Sequence, residues 1–103
     1  MTKAEILALP LDKLNELVAE KVMGECLDFP DGEQNYSGRI VAAWRVVEKM
    51  DKLGFAIQLN HWHYWSSIFW KRDDPRLGIR FDECVAAPEV ICRAALLALE
   101  GKE

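Results

Sequence analysis

The sequence has few cysteines, and they lack the spacings that pair them. Cys26, Cys84 and Cys92 are odd in number and include no CxxC pair. Disulfide frameworks and zinc knuckles use paired cysteines at short, recurring spacings, so neither kind of site is indicated. This cysteine usage is typical of a protein that works in a reducing cytoplasm.

Positive charge is also scarce. The chain has 13 lysines and arginines against 17 aspartates and glutamates, a formal net charge of -4. Such a charge repels a phosphate backbone, so we expect no polymeric nucleic acid as a partner. A small anionic ligand is compatible with this balance, because a few arginines can form a local pocket inside an acidic protein.

Long apolar runs and catalytic signatures are missing as well. No stretch approaches the roughly 18 consecutive apolar residues that cross a membrane, and the first residues do not form a basic leader followed by an apolar run. There is no nucleophile elbow, no phosphate-cradling glycine loop and no carboxylate pair in a recognisable setting. We therefore expect no membrane contact, no cofactor, no catalytic residues and a protein that is not an enzyme.

The composition is that of a packed protein. The chain has 103 residues, of which 50% are apolar and 29% charged. This length lies near the commonest domain size and leaves room for a single core. The sequence predicts one domain over residues 1–103.

Apolar residues recur at helical spacing in two segments of the first half. One segment predicts an amphipathic helix from Leu11 to Val22, which Pro10 begins or separates from a short preceding turn and Gly24 ends. Ser37 is the predicted cap of the next helix, which ends at the glycine of residue 54. The predicted core face of this second helix consists of Ile40, Ala43, Trp44, Val47 and Met50.

The second half changes to a period of two and then returns to helix. Alternating apolar residues from Phe55 onward, through residues 61–70 and at 77–81, predict three strands, with a hairpin turn at residues 71–76. Pro88 begins a last helix that is apolar on most sides and should lie at the centre of the core. The order α-α-β-β-β-α predicts an α+β fold, in which helices and a three-stranded antiparallel sheet form an α/β/α sandwich.

Residues 25–36, ECLDFPDGEQNY, show no period and contain a turn signal at Pro30 and Gly32. Loops of about a dozen residues in a compact domain are often functional. This segment is either a lid over a site or a plain connector, and the sequence leaves both open.

The stretch HWHYWSSIFW, residues 61–70, holds three of the four tryptophans and both histidines. If it forms one strand, His61, His63 and Trp65 share one face, and Trp62 and Tyr64 lie on the other. The rings then form a core, a metal site or a binding platform. An HxH pair on one face suits zinc or iron, but no third ligand stands at a diagnostic spacing, so we expect no metal.

A platform would combine aromatic faces with nearby arginines. Rings of this stretch can stack on a flat ligand, and guanidinium groups can hold phosphate through paired hydrogen bonds. An alternative is that the arginines lie on a solvated hairpin and are balanced by Asp73 and Asp74. The candidate ligand-binding residues are Trp62, His63, Tyr64, Trp65, Arg72, Arg76 and Arg80.

Three stretches of the sequence resemble one known family. LVAEKVMG at residues 17–24, YSGRIVAAWRVVEKMDKLGF at 36–55 and PEVICRAALLAL at 88–99 are similar to the phage ABA sandwich domain family. Members often carry tryptophan where this chain has Glu25 and an acidic residue where it has Arg39. The resemblance implies a bacteriophage protein in the host cytoplasm, with helices sandwiching a sheet, and it implies no particular activity.

Two functions are compatible with these observations, and an enzyme is the third alternative. By analogy with other small phage proteins, the chain would sequester a small nucleotide-derived immune signal of the ADP-ribose type. It would be an oligomer if the aromatic face is shared between subunits. Alternatively, the aromatic stretch would dock on a host or phage protein. An enzyme acting on a nucleotide would depend on His61 or His63.

The platform hypothesis predicts that Trp62→Ala weakens binding of an ADP-ribose-type ligand without unfolding the chain. Stacking of one base on an aromatic ring contributes about 1–3 kcal/mol, which the substitution removes. Calorimetric titration measures the affinity, and a thermal melt checks the fold. Unchanged affinity in a folded variant would contradict the platform.

Overall fold

The computed structural model describes residues 2–25, 34–61, 65–72, 74–84 and 86–100. Four helical segments precede the sheet and one follows it. The helices are α1 (Lys3–Ala8), α2 (Leu11–Leu17), a π-helix (Val18–Met23), α3 (Ile40–Lys52) and α4 (Ala87–Glu100). The strands are β1 (Phe55–His61), β2 (Trp65–Lys71) and β3 (Asp74–Cys84).

The first residues form a helix where the sequence indicated only a turn. Thr2 caps α1, because its hydroxyl accepts from the Glu5 backbone N–H at 3.2 Å while the Glu5 carboxylate accepts from the Thr2 N–H at 3.3 Å. This reciprocal pair satisfies two amide groups that a helix start leaves without partners. Pro10 then precedes α2, as predicted, and separates the two helices.

The predicted helix over residues 11–22 changes its winding at Val18. From Val18 to Met23 the chain is a π-helix, whose hydrogen bonds join residues five apart. Val18, Ala19 and Val22 are buried in this segment. Gly24 ends it as predicted, with a left-handed φ of 69° that favours glycine.

The prediction that Ser37 caps α3 is wrong. The residue before α3 is Arg39, and no side chain caps the helix. Ser37 instead lies in a buried turn, where its backbone N–H donates to Asn15 Oδ1 at 2.8 Å and the Asn15 amide donates to Asn35 Oδ1 at 3.3 Å. Because this turn packs on α2, a long-range contact decides where α3 begins.

The buried face of α3 is rotated from the predicted one. Its buried residues are Ala42, Ala43, Val46, Val47 and Met50. Ile40 and Trp44, which the sequence placed in the core, are exposed instead. The segment IVAAW has apolar residues all round the helix, so periodicity alone does not fix which side faces the core.

The sheet is antiparallel, and its pairing corrects the prediction for residues 61–70. β1 pairs with β2 from Phe55 opposite Lys71 to His61 opposite Trp65. His61 therefore ends one strand and Trp65 begins the next, so the stretch is not a single strand. A two-residue alternation in the sequence does not show where one strand ends and the next begins.

Pairing continues along the backbone from β2 to β3, with Trp65 opposite Cys84 and Lys71 opposite Asp74. The connection after β2 is therefore shorter than the predicted turn at residues 71–76. The α+β class, with helices packed on an antiparallel sheet, is confirmed.

The helices contact the sheet in one layer. α3 contacts β1, α4 contacts β2 and β3, and the two helices contact each other, which places them on the same face. Ile57, Leu59 and Phe69 pack toward this layer, whereas Gln58 is exposed. In the part of the chain that the structure describes, no helix lies against the opposite face, so the second helical layer of the sandwich stays a prediction.

α4 is the central element of the core, as predicted. It contacts α1, α2, the π-helix, α3, β2 and β3. Six of its apolar residues are fully buried: Val90, Ile91, Cys92, Ala94, Ala95 and Leu96. Burial raises the pKa of the Cys92 thiol well above its ordinary value, since the charged thiolate would lose its hydration. Cys92 is thus a core residue and not a nucleophile.

One charged residue of α4 is buried among these apolar neighbours. Arg93 is only 5% exposed, and its guanidinium donates to the backbone oxygens of Ile6 and Leu9, the latter at 2.9 Å. It also forms an ion pair with Glu89 one turn earlier, at 3.3 Å. These partners satisfy the buried charge. The guanidinium also gives the Leu9 carbonyl oxygen a donor and adds one to the Ile6 carbonyl oxygen, which already accepts from the Leu9 N–H.

We expect Arg93→Met to lower the free energy of unfolding by about 3 kcal/mol. The substitution leaves the Glu89 carboxylate without its ion-pair partner and removes the guanidinium donor from the Ile6 and Leu9 carbonyl oxygens. Denaturant unfolding measures the loss. Arg39→Met is a matched control on an exposed residue and should change the value by no more than about 0.5 kcal/mol. Equal effects of the two substitutions would contradict the role of Arg93.

Candidate functional site

A groove of about 490 Å³ lies between α3 and β1, and we call it the α3–β1 groove. Its volume is within the range of sites that hold small molecules. The groove is lined by Trp44, Val47, Glu48, Asp51, Lys52, Phe55, Ala56, Ile57 and Arg72. It therefore combines an aromatic ring, an apolar floor and charges of both signs.

A tight reversal between α3 and β1 creates the groove. Gly54 has a left-handed φ of 92°, and its N–H donates to the Asp51 carbonyl oxygen at 3.0 Å. A residue with a side chain rarely adopts this conformation, so glycine is what lets the chain turn back immediately after the helix. The last turn of α3 and the first residues of β1 are consequently held side by side, with Phe55 buried beneath them.

Arg72 lines the groove and is fixed by three contacts. Its backbone N–H donates to the Gly54 carbonyl oxygen at 3.1 Å. Its guanidinium donates to the Phe55 carbonyl oxygen at 3.3 Å and forms an ion pair with Asp51. Both charged side chains are more than half exposed, so this ion pair positions the guanidinium but contributes little to stability.

Trp44 lies on the outer side of α3, where it borders the α3–β1 groove. Half of its side chain is exposed. The sequence pattern assigned Trp44 to the core, and Trp44 is therefore absent from the predicted platform. The available signal was the unbroken apolar run IVAAW, which provides more apolar residues than one core face of a helix can take.

Two more exposed apolar residues stand next to Trp44. Ile40 is 51% and Val41 is 70% exposed, and with Trp44, Arg45 and Glu48 they line a shallow depression of about 350 Å³. We call Ile40, Val41 and Trp44 the α3 strip. An apolar cluster of this kind on the surface commonly marks a contact with another molecule.

A polar cluster joins both ends of segment 25–36, predicted as a lid or a plain connector, to α3. The hydroxyl of the fully buried Tyr36 donates to the Glu25 carboxylate, which also pairs with Arg45 at 3.7 Å. The Arg45 guanidinium lies 5.8 Å from the centre of the Tyr36 ring, within the range of a cation–π contact. The ends of the segment are therefore anchored, while residues 26–33, and with them the choice between lid and connector, lie outside the described residues.

Of the predicted ligand-binding residues, the structure places Arg72 in a groove. Trp65 begins β2 opposite His61, and Arg80 pairs with Ile68 along the backbone of β3, which also includes Arg76. The side chains of Trp65, Arg76 and Arg80 lie outside the described part of the chain. The same holds for the whole of Trp62, His63 and Tyr64. An aromatic platform built from residues 62–65 therefore stays a prediction.

The described residues contain neither a metal-binding cluster nor a membrane-spanning helix. No group of three or more histidine, cysteine, aspartate or glutamate side chains among them has the geometry to hold a metal ion. No described helix is long and apolar enough to span a bilayer.

Comparison with known proteins identifies a domain family. The family model described as phage ABA sandwich domain matches residues 16–96, from α2 into α4. No curated protein and no solved structure matches the chain. The family match includes α3, β1 and β2, and thus every element that forms the α3–β1 groove.

The exposure of Trp44 can be tested through stability. Trp44→Ser should lower the free energy of unfolding by about 2 kcal/mol, because half of the side chain is already in water and only the other half, about 100 Å², loses its burial. Phe69→Ala, at a fully buried ring, should cost about 3–5 kcal/mol. Denaturant unfolding compares them, and a loss of 3 kcal/mol or more for Trp44→Ser would return this residue to the core.

Proposed function

The chain belongs to the phage ABA sandwich domain family, and from this premise we propose that it is a nonenzymatic bacteriophage protein that captures a small nucleotide-derived ligand in the α3–β1 groove. One observation carries the proposal. The half-exposed indole of Trp44 and the guanidinium of Arg72 line the same groove, whose volume suits such a ligand. The predicted combination of aromatic ring and arginine is retained, with Trp44 as the ring.

The charges of the groove suit a nucleotide derivative better than a simple anion. Arg72 and Lys52 can bind phosphate oxygens. The carboxylates of Glu48 and Asp51 can accept hydrogen bonds from ribose hydroxyls, as acidic residues do in dinucleotide sites. A base can stack on Trp44. A ligand that carries phosphate, sugar and base would therefore find a partner for each part.

Capture without conversion is supported by the residues that line the groove. Those that the structure describes include no serine, threonine, cysteine or histidine, the residue types that most often act as nucleophile or proton-transfer group. A protein that holds such a ligand intact lowers its free concentration. We propose that this sequestration acts on an ADP-ribose-type immune signal in the host cytoplasm. The proposed fold is a three-stranded α/β/α sandwich, in which α3, β1 and β2 hold the groove.

Thermal unfolding with a panel of nucleotides tests the proposal. The panel includes ADP-ribose, its cyclic isomers and cyclic dinucleotides. A ligand at about 100 times its dissociation constant should stabilise the fold by about 2.7 kcal/mol and raise the melting temperature by several degrees. Chromatography should then recover the ligand intact, whereas an altered ligand would indicate an enzyme. No shift with any member of the panel would contradict capture of a nucleotide.

Two arginine variants locate the site. Arg72→Met should abolish the shift, because it removes the fixed phosphate-binding group from the groove. Arg39→Met has the same change of charge at an exposed position that does not line the groove, and should leave the shift unchanged. A normal shift in Arg72→Met would exclude the α3–β1 groove as the binding site.

A second function is favoured by a different observation, the exposure of the α3 strip. Ile40, Val41 and Trp44 form an apolar surface that could be the centre of a protein contact. In this proposal the chain docks on a host or phage protein through α3. The docking patch predicted at residues 61–70 lies largely outside the described side chains and stays a prediction.

A further inference from the structure

We propose that the α3–β1 groove selects nucleotides whose phosphates are internal, linking two organic groups, over nucleotides that end in a free phosphate. This selection rests on the proposed capture of a nucleotide and narrows the class of nucleotide that the groove takes. It follows from the contact between the Asp51 carboxylate and the guanidinium of Arg72.

The charges that line the groove cancel. Glu48 and Asp51 are negative, Lys52 and Arg72 are positive, and the other lining residues are uncharged. A terminal phosphate carries about 1.5 to 2 negative charges at pH 7, more than the single charge of a phosphate that is esterified on both sides. Binding removes water from these charges, which costs free energy. A neutral lining returns no net attraction for the extra charge and therefore favours the internal phosphate.

The guanidinium of Arg72 is already engaged at the nitrogen that a paired phosphate contact needs. A guanidinium can hold two oxygens along either of two edges, Nη1 with Nη2 or Nε with Nη2. Nη2 of Arg72 donates to the Phe55 carbonyl oxygen and pairs with the Asp51 carboxylate. Single contacts through Nη1 or Nε are compatible with this arrangement, whereas a paired contact would displace Asp51.

Two carboxylates oppose a free phosphate at this place. Glu48 and Asp51 stand three positions apart on α3, so they lie on the same side of the helix, and both line the groove. A terminal phosphate that approached Arg72 would bring its higher charge toward the Asp51 carboxylate, and like charges repel. An internal phosphate meets less repulsion, and the sugars on either side of it can donate hydroxyl hydrogen bonds to the same carboxylates.

Calorimetric titration with ADP and with its β-methyl ester tests the selection. The two compounds have the same base, sugar and phosphates, and they differ in that the methyl group converts the terminal phosphate of ADP into an internal one. In about 0.1 M salt, where charges inside the groove are only partly screened, we expect the ester to bind at least about fivefold more tightly than ADP.

Asp51→Asn should reduce this preference at least about threefold. The substitution gives the lining a net positive charge and removes the carboxylate from Nη2, while the Phe55 carbonyl oxygen still holds the guanidinium. Asp12→Asn is the matched control, because Asp12 is exposed on α2 and does not line the groove, and it should keep the preference. The readout is a ratio of two dissociation constants for one protein, so a partly unfolded sample affects both constants alike.

The possible outcomes separate selection from capture. If the wild-type chain binds both compounds equally, or ADP more tightly, capture stands and selection by the groove is overturned. An unchanged preference in Asp51→Asn would overturn the role of Asp51. Binding of neither compound would overturn the selection together with the capture of an ADP-ribose-type ligand.

Discussion

The buried guanidinium of Arg93 connects the N-terminal helices to the rest of the molecule. A charge in an apolar core costs several kcal/mol unless its hydrogen bonds are made, and the carbonyls that end a helix need donors from outside it. Arg93 meets both requirements, because it donates to Ile6 and Leu9 at the end of α1 while Glu89 balances its charge. The same residue thereby fixes α1 against α4, which contacts every other layer of the core.

The position of α4 determines where a binding surface can form. α4 lies against β2 and β3, so α3 is placed at the flank of the sheet, beside β1. A helix in that position can bury only its inner side, and in α3 the inner side is taken by Ala42, Val46 and their neighbours. Trp44 is consequently left in water, next to the groove that the reversal at Gly54 opens. The exposed aromatic surface therefore follows from the packing of the core.

One helix then supplies both proposed contacts. Toward β1, α3 lines a groove with Trp44 and charges of both signs, which suits a ligand with a base, a sugar and phosphate. Away from the groove it presents the apolar α3 strip, the surface proposed to dock on a host or phage protein. Trp44 takes part in both surfaces, because a chain of 103 residues has few elements and only one core. Family membership is compatible with either contact and selects neither.

The sequence by itself determined the local features: the break at Pro10, the stops at Gly24 and Gly54, the start at Pro88, the burial of α4 and the α+β class. These depend on backbone restrictions and on periodicity within a few neighbouring residues. Only the tertiary structure decided which side of α3 is buried and that His61 and Trp65 are paired in neighbouring strands. It also decided that Ser37 binds Asn15 instead of capping α3, and that Arg72 lies in a groove with Trp44. Periodicity shows which faces are apolar, but which neighbour covers a face, and which distant residue meets a polar group, is set by packing between elements far apart in the chain.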